Sequence, residues 1–237
     1  MHNILPIFRR ELRAYFDSPT AYVVITVFLL VTGWFFTTNF FAVGQADLRV
    51  AFGIIPFIFI FITPAITMRL ISEERKSGTM ELLVTMPIHD LSIIIGKYLA
   101  AVALLAAMVL PTLVYVITVA SLGDMDPGPV VGGYLGLILM GAAYLAIGTF
   151  GSSLTDSQVV AFILSWIMVF VFFLLDKVLF LVPNWLVGTV EYLSIEHHFQ
   201  NIQRGVIDTR DIVYYLSLIA LALFLSARSL AARRWRG

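Results

Sequence analysis

The fifteen acidic and fifteen basic residues of this chain are clustered, and the uncharged runs between the clusters are long enough to cross a lipid bilayer. Those runs are Ser18 to Ala46, Val50 to Met68, Tyr98 to Gly123, Pro127 to Thr155, Ser157 to Leu175 and Ile212 to Ala227. At about 1.5 Å of rise per residue, even the Val50–Met68 run reaches roughly 28 Å as a helix, close to the thickness of the hydrocarbon core. The last run is the shortest. It becomes a full span if the Arg228 side chain snorkels to the interface and the helix continues to Ala232. The expected fold is therefore an all-α integral membrane protein with six transmembrane helices, in one domain covering residues 1–237.

Composition points the same way. A chain that is 60% hydrophobic and 13% charged, with a mean hydropathy of +0.95, has too little polar surface to enclose a soluble core of this size. It contains no cysteine, so disulfides and thiolate metal sites are excluded and the redox compartment is not encoded. The first long apolar run follows Arg9, Arg10 and Arg13 and is itself span-length, which reads as an uncleaved first helix rather than a signal peptide.

Basic residues set the orientation, because Lys and Arg flanking a span resist translocation. Six spans place both termini on one side. That side holds eleven of the fifteen Lys and Arg: Arg9, Arg10, Arg13, Arg69, Arg75, Lys76, Lys97, Arg228, Arg233, Arg234 and Arg236. Arg49, Lys177, Arg204 and Arg210 remain opposite. Both termini and the loop between the second and third spans are expected in the cytoplasm, the protein lying in a bacterial inner membrane.

Within the spans the signals concern packing. Gly132, Gly133, Gly136, Gly141, Gly148 and Gly151 line the fourth span, and Gly132-x-x-x-Gly136 permits close approach of a neighbouring backbone. Pro56, Pro64 and Pro111 are expected to kink or open the second and third spans. No acidic or basic residue occupies the middle of a span, which disfavours an ion-coupled secondary carrier. Ser152 and Ser153 have no histidine at depth to activate them, which argues against an intramembrane protease. The adjacent Glu196, His197 and His198 diverge by about 100° per residue on a helix and make a poor chelate, so no metal site is expected. The only Gly-Lys pair, Gly96-Lys97, has Leu91 and Tyr98 where a phosphate-binding loop needs Gly and Ser or Thr, so no ATP hydrolysis is expected in this chain. Nothing suggests a nucleic-acid partner.

Residues 72–90 are more than a connector. Glu73, Glu74, Arg75 and Lys76 are expected to extend the second span into water until Ser77-Gly78 breaks it. Thr79 can cap a short helix with Glu81 in its first turn, Pro87 ends it, and Asp90 caps the third span. The short helix carries Met80, Leu82, Leu83, Val84 and Met86 in a charged setting. It either lies in a partner's groove or packs on its own bundle.

Glu73-Glu74 through Gly78-Thr79, Glu81-Leu82-Leu83 and Pro87, followed by Gly96-Lys97-Tyr98, resembles the loop between the second and third helices of ABC-2-type permeases. Residues Arg10 to Tyr22 are similar to the opening of the branch that includes the gliding-motility-associated permease and the permease of nitrous oxide reductase maturation. His198 to Tyr215 most closely resembles the gliding-motility permease. The resemblance implies that Glu73, Glu74, Gly78, Thr79, Glu81, Leu82, Leu83 and Pro87 form a coupling helix that docks on a separate cytoplasmic ATPase, where ATP and magnesium would bind. It further implies a dimer of permeases in an exporter or a mechanotransmission complex; a scaffold that anchors a partner enzyme or periplasmic protein without transport is the alternative.

Two flanking segments complete the expectation. In residues 3–18, Leu5, Phe8, Leu12, Tyr15 and Phe16 share one helical face opposite Arg10, Arg13 and Asp17, as in a helix lying in the membrane interface against lipids. The family resemblance adds ATPase contact there, leaving Arg9 and Arg10 to serve headgroups or that partner. Residues 183–211 are too apolar for a free loop and too interrupted to span. They read as short outer interfacial or re-entrant helices, with Gly205 ending the last and Asp208 capping the sixth span. Trp185, Phe199, Arg204 and Gly205 are the candidates there for an outer gate or a surface that meets a periplasmic or membrane-anchored accessory protein.

Overall fold

A computed structural model describes residues 4–43, 48–77, 90–123 and 125–234. In chain order the helices are α1 (Ile4–Asp17), α2 (Pro19–Val43), α3 (Arg49–Thr67), α4 (Ser72–Lys76), α5 (Asp90–Val109), α6 (Leu113–Leu122), α7 (Pro127–Ser153), α8 (Gln158–Lys177), α9 (Asn184–Leu193), α10 (Ile195–Gln203) and α11 (Thr209–Arg234). No strand occurs among the described residues. Six stretches of the described residues are long and apolar enough to span a membrane: Pro19–Thr38, Ala51–Lys76, Asp90–Leu122, Pro127–Ser153, Gln158–Lys177 and Thr209–Ala232.

Burial ranks these spans. In the apolar windows of Pro127–Ser153 and Ala51–Lys76, 67% and 61% of residues are buried, against 17% to 22% in α2, α8 and α11. The core is thus the α3–α7 pair, with α5, α8, α10 and α11 packed on α7. Glycine explains why α7 is central, because apolar side chains gain nothing from leaving lipid and helices must instead approach closely enough for dispersion to hold them. A Cβ on Gly141 would lie 2.6 Å from Leu105 of α5, one on Gly136 would lie 2.9 Å from Phe199 of α10, and one on Gly148 would overlap Thr67 of α3.

The third span is interrupted as Pro111 requires. A 3-10 turn over Leu110–Thr112 separates α5 from α6, and Thr112 Oγ1 donates to Val109 O at 2.6 Å beside the Tyr134 hydroxyl at 3.0 Å. The second span ends differently from the expected straight extension into water. After α3 the chain turns through Met68–Ile71 and restarts as α4. Ser152 Oγ of α7 accepts from the amides of Ile71 and Ser72, each at 3.2 Å, and donates to Met68 O at 3.2 Å. One hydroxyl therefore serves three backbone groups at the helix break, sharing Met68 O with the Ser72 hydroxyl.

Replacing Gly148 with Val should force α3 and α7 apart and cost about 1–3 kcal/mol, the usual penalty for overpacking. Gly53→Ala, where a Cβ meets nothing within 4 Å, should leave stability unchanged or slightly raised. Thermal unfolding of the two variants in the same detergent checks the contrast.

Candidate functional site

One end of the bundle carries α1, α4, the start of α5 and the C-terminal part of α11, and it borders the segment 78–89. Its centre is Lys97, about two turns into α5. Lys97 is 2% exposed, and its Nζ lies 2.9 Å from Glu74 Oε1 of α4 and 3.1 Å from Glu11 Oε1 of α1. Arg10 approaches the same two oxygens, at 3.2 Å and 2.9 Å. Two cations and two carboxylates thus alternate. The hydrogen bond to Glu11 is the main cause that raises the Arg10 guanidinium above its ordinary value, burial opposing it.

The tripeptide Gly96-Lys97-Tyr98 explains how α1 comes to rest here. A Cβ on Gly96 would lie 2.8 Å from Ile7 and 3.2 Å from the Ile4 carbonyl, so only glycine admits the α1 backbone. Lys97 fixes the charges, and the Tyr98 hydroxyl donates to Ala142 O of α7 at 3.1 Å. The inward face of α1 is accordingly centred on Ile7, which is buried, whereas Leu5 is 54% exposed. Tyr15 donates to Ile66 O at 3.3 Å, and burial pushes its phenol above the usual range.

Around this cluster the bundle end is tied laterally. Arg75 is largely buried, with its guanidinium on Ser153 O and 3.7 Å from Asp156; Ser229 of α11 donates to the same carbonyl at 2.9 Å. Glu74 and Arg75 therefore point into the protein rather than into water. Glu11, Tyr15, Arg69, Glu73, Glu74 and Lys97 line part of a cleft of about 360 Å³ between α1 and the α3–α4 turn. Of the residues assigned to ATPase coupling, Glu73 and Glu74 are brought to this cleft; Gly78, Thr79, Glu81, Leu82, Leu83 and Pro87 lie outside the described residues. The ion cluster itself has no local signature, because Glu11, Glu74 and Lys97 come from three distant segments.

At the opposite end, α9 and α10 form a hairpin against α7, α8 and α11. Ser194 Oγ accepts from His197 N at 3.3 Å to cap α10, Gly205 ends it with φ of +85°, and Asp208 Oδ1 accepts from Arg210 N at 2.9 Å to start α11. Phe199 is 1% exposed and seated on Gly136, whereas Trp185 is 80% exposed. Arg204 and Gly205 are exposed at the end of α10. The three consecutive polar residues of α10 diverge as helix geometry demands: Glu196 is buried and accepts from Gln200, His197 faces Glu191 at 3.2 Å, and His198 meets Asp211. Burial raises the Glu196 carboxyl, with Lys177 opposing; among the described residues its Oε2 and the buried Tyr144 hydroxyl meet no hydrogen-bond partner.

Lys97→Met should leave Glu11 and Glu74 facing each other across the half-exposed Arg10 without their buried cation, at a cost of about 3–5 kcal/mol. Glu11→Gln combined with Lys97→Met should cost less than the sum of the single changes. A double-mutant cycle on unfolding in detergent measures that coupling.

The model of the family described as ABC-2 family transporter protein matches residues 17–204, well over half of the chain. No curated protein matches it. With six membrane-spanning stretches on an all-helical bundle, this chain belongs to the ABC-2 family of transporter proteins, as a multi-pass membrane permease subunit.

Proposed function

We propose that the chain is the membrane subunit of an ATP-driven exporter or mechanotransmission complex, paired with a second permease copy and served by two separate cytoplasmic ATPases that hold ATP and magnesium. The observation that carries this reading is the Lys97 cluster, which binds α4 and α5, the two helices bordering residues 78–89, to α1 through Glu74 and Glu11. A push on that segment is delivered at once to α1 and to the α3–α7 core. The likeness of His198 to Tyr215 to the gliding-motility permease supports placing the chain in that branch, without implying that role.

Force applied there has a route through the bundle. Ser152 and Ser153 at one end of α7 hold the α3–α4 turn, Arg75 and α11, and Gly136 at its other end seats Phe199 of α10. Closure of the ATPases is proposed to tilt α7 as a rigid lever and shift the α9–α10 hairpin, where Trp185 and Arg204 form the outer surface. The cleft flanked by Glu73 and Arg69 is the proposed receiving groove beside the coupling helix.

Leu82 and Leu83, if buried in an ATPase groove, contribute about 1.5–3 kcal/mol each. Replacing both with Asp should abolish co-purification of the ATPase while membrane insertion continues. A retained complex with unaltered ATPase activity would instead indicate the scaffold.

The orientation is proposed from the eleven-to-four bias of Lys and Arg. Since the chain has no cysteine, single cysteines can report it. Those at Ser77 and Ser157 should be shielded from an impermeant thiol reagent in intact spheroplasts, and those at Gly123 and at Val206, which is 65% exposed, should react. Labelling of position 77 from outside would overturn the orientation and the docking assignment together.

A further inference from the structure

His198 of α10 is 2% exposed and Asp211 of α11 is 4% exposed. The ring is wedged between two acceptors: Nδ1 lies 2.6 Å from Asp211 Oδ1, and Nε2 lies 2.9 Å from the main-chain carbonyl of Tyr192 in α9. Tyr214 stacks on the ring at 3.9 Å between centroids, so the imidazole cannot swing away to another partner.

A carbonyl oxygen only accepts, so the Nε2 contact requires a hydrogen on Nε2. A separation of 2.6 Å between Nδ1 and a carboxylate oxygen also requires a hydrogen between them. A neutral ring beside an ionised carboxylate has one hydrogen for the two contacts, and whichever tautomer it adopts, one contact sets lone pair against lone pair. Both close only when the pair holds one proton more, as imidazolium with carboxylate or as neutral ring with carboxylic acid.

We infer that His198 and Asp211 form a proton-binding site whose occupancy fastens α9 to α10 and α11. When the proton leaves, the charge-bearing Nδ1–H contact to Asp211 is retained and the Tyr192 carbonyl loses its donor. The α9 end of the hairpin is then held by the Tyr214 hydroxyl, which donates to Leu193 O at 2.6 Å, and by Glu191 on His197.

The other groups around the ring do not replace that proton. Tyr192 of α9 meets it edge-on at 5.2 Å, and Tyr215 of α11 lies at 6.3 Å with its hydroxyl donated to Ile195 O. His197 on the same helix is 5.6 Å away. On the open side Arg204, Asp208 and Arg210 line, with His198 and Asp211, a cleft of about 340 Å³ through which a proton exchanges with the medium. Tyr144 of α7 and Asp176 and Lys177 of α8 act on Glu196, two residues away and on the other face of α10. Under the topology proposed above, the medium in question is the one outside the cytoplasmic membrane.

The test uses the full chain purified in detergent. With histidine nitrogens and aspartate carboxyls isotopically labelled, NMR at neutral pH should show hydrogens on both nitrogens of the ring whose signals vanish in His198→Gln, or a protonated carboxyl for the signal that vanishes in Asp211→Asn. A bare ring nitrogen beside an ionised Asp211 overturns the site.

Amide exchange of residues 184–203, corrected for its intrinsic pH dependence and compared with α3, reads the mechanical consequence. Protection should fall about tenfold as the pH rises from neutral to alkaline, the worth of one hydrogen bond to a charged group. Asp211→Asn should remove this pH response, because its amide donates to Nδ1 of a neutral ring while Nε2–H still reaches Tyr192. His198→Gln should be poorly protected at every pH. A pH-independent unsubstituted chain, or the same response in Asp211→Asn, overturns the inference.

Discussion

Helices immersed in hydrocarbon have no hydrophobic reason to leave lipid for one another, so this bundle depends on how closely backbones approach α7. Its glycines supply that approach on several sides, toward Phe52 and Thr67 of α3, Leu105 of α5, Ser165 of α8 and Phe199 of α10. Side-chain hydroxyls finish the job. Ser152 takes up backbone groups at the α3–α4 break, and Ser165 in the middle of α8 donates across to Gly148 O of α7 at 3.1 Å. Among the described residues, the buried Lys, Glu, Asp and His side chains sit at the two ends; Lys97 and Asp211 are paired across helices, whereas Glu196 accepts from Gln200 of its own helix.

The two charged clusters differ in kind. Around Lys97, two cations face two carboxylates, an arrangement that is complete without any exchange with solvent and holds three helices at fixed spacing. Around His198, the number of hydrogens decides whether all contacts can be made at once. A rigid junction thus stands at the end that borders residues 78–89, and a conditional one at the other.

Much of this was legible from residue order. Lipid tolerates no isolated charge, so the gaps between charges had to be the spans, and the six stretches fall where those gaps lie. Pro111 cannot donate to the preceding turn, and the 3-10 interruption sits on it. Gly205 ends α10 because the chain there takes a left-handed φ that favours glycine, and Asp208 begins α11 because its side chain accepts from Arg210 N. Periodicity fails where nearly every residue of a helix is apolar, because it cannot say which face meets protein and which meets lipid. In α1, whose two faces are plain in the sequence, Ile7 rather than Leu5 leads the packing because Gly96 of the distant α5 leaves room for it. Pairings such as Glu11 with Lys97 or His198 with Asp211 depend on tertiary position, which no spacing encodes. The turn before α4 escaped for a similar reason: the hydroxyl that stabilises it belongs to α7.

The interruption at Leu110–Thr112 divides the third span into unequal mechanical parts. Upstream, α5 has much of its length buried and is anchored by Lys97 and Tyr98; downstream, only Val119 of α6 is buried. A bending strain that reaches Pro111 therefore meets a stiff beam on one side and a compliant strut on the other. Thickening or thinning of the surrounding bilayer would be absorbed by α6, leaving the register of the charged junction below it undisturbed.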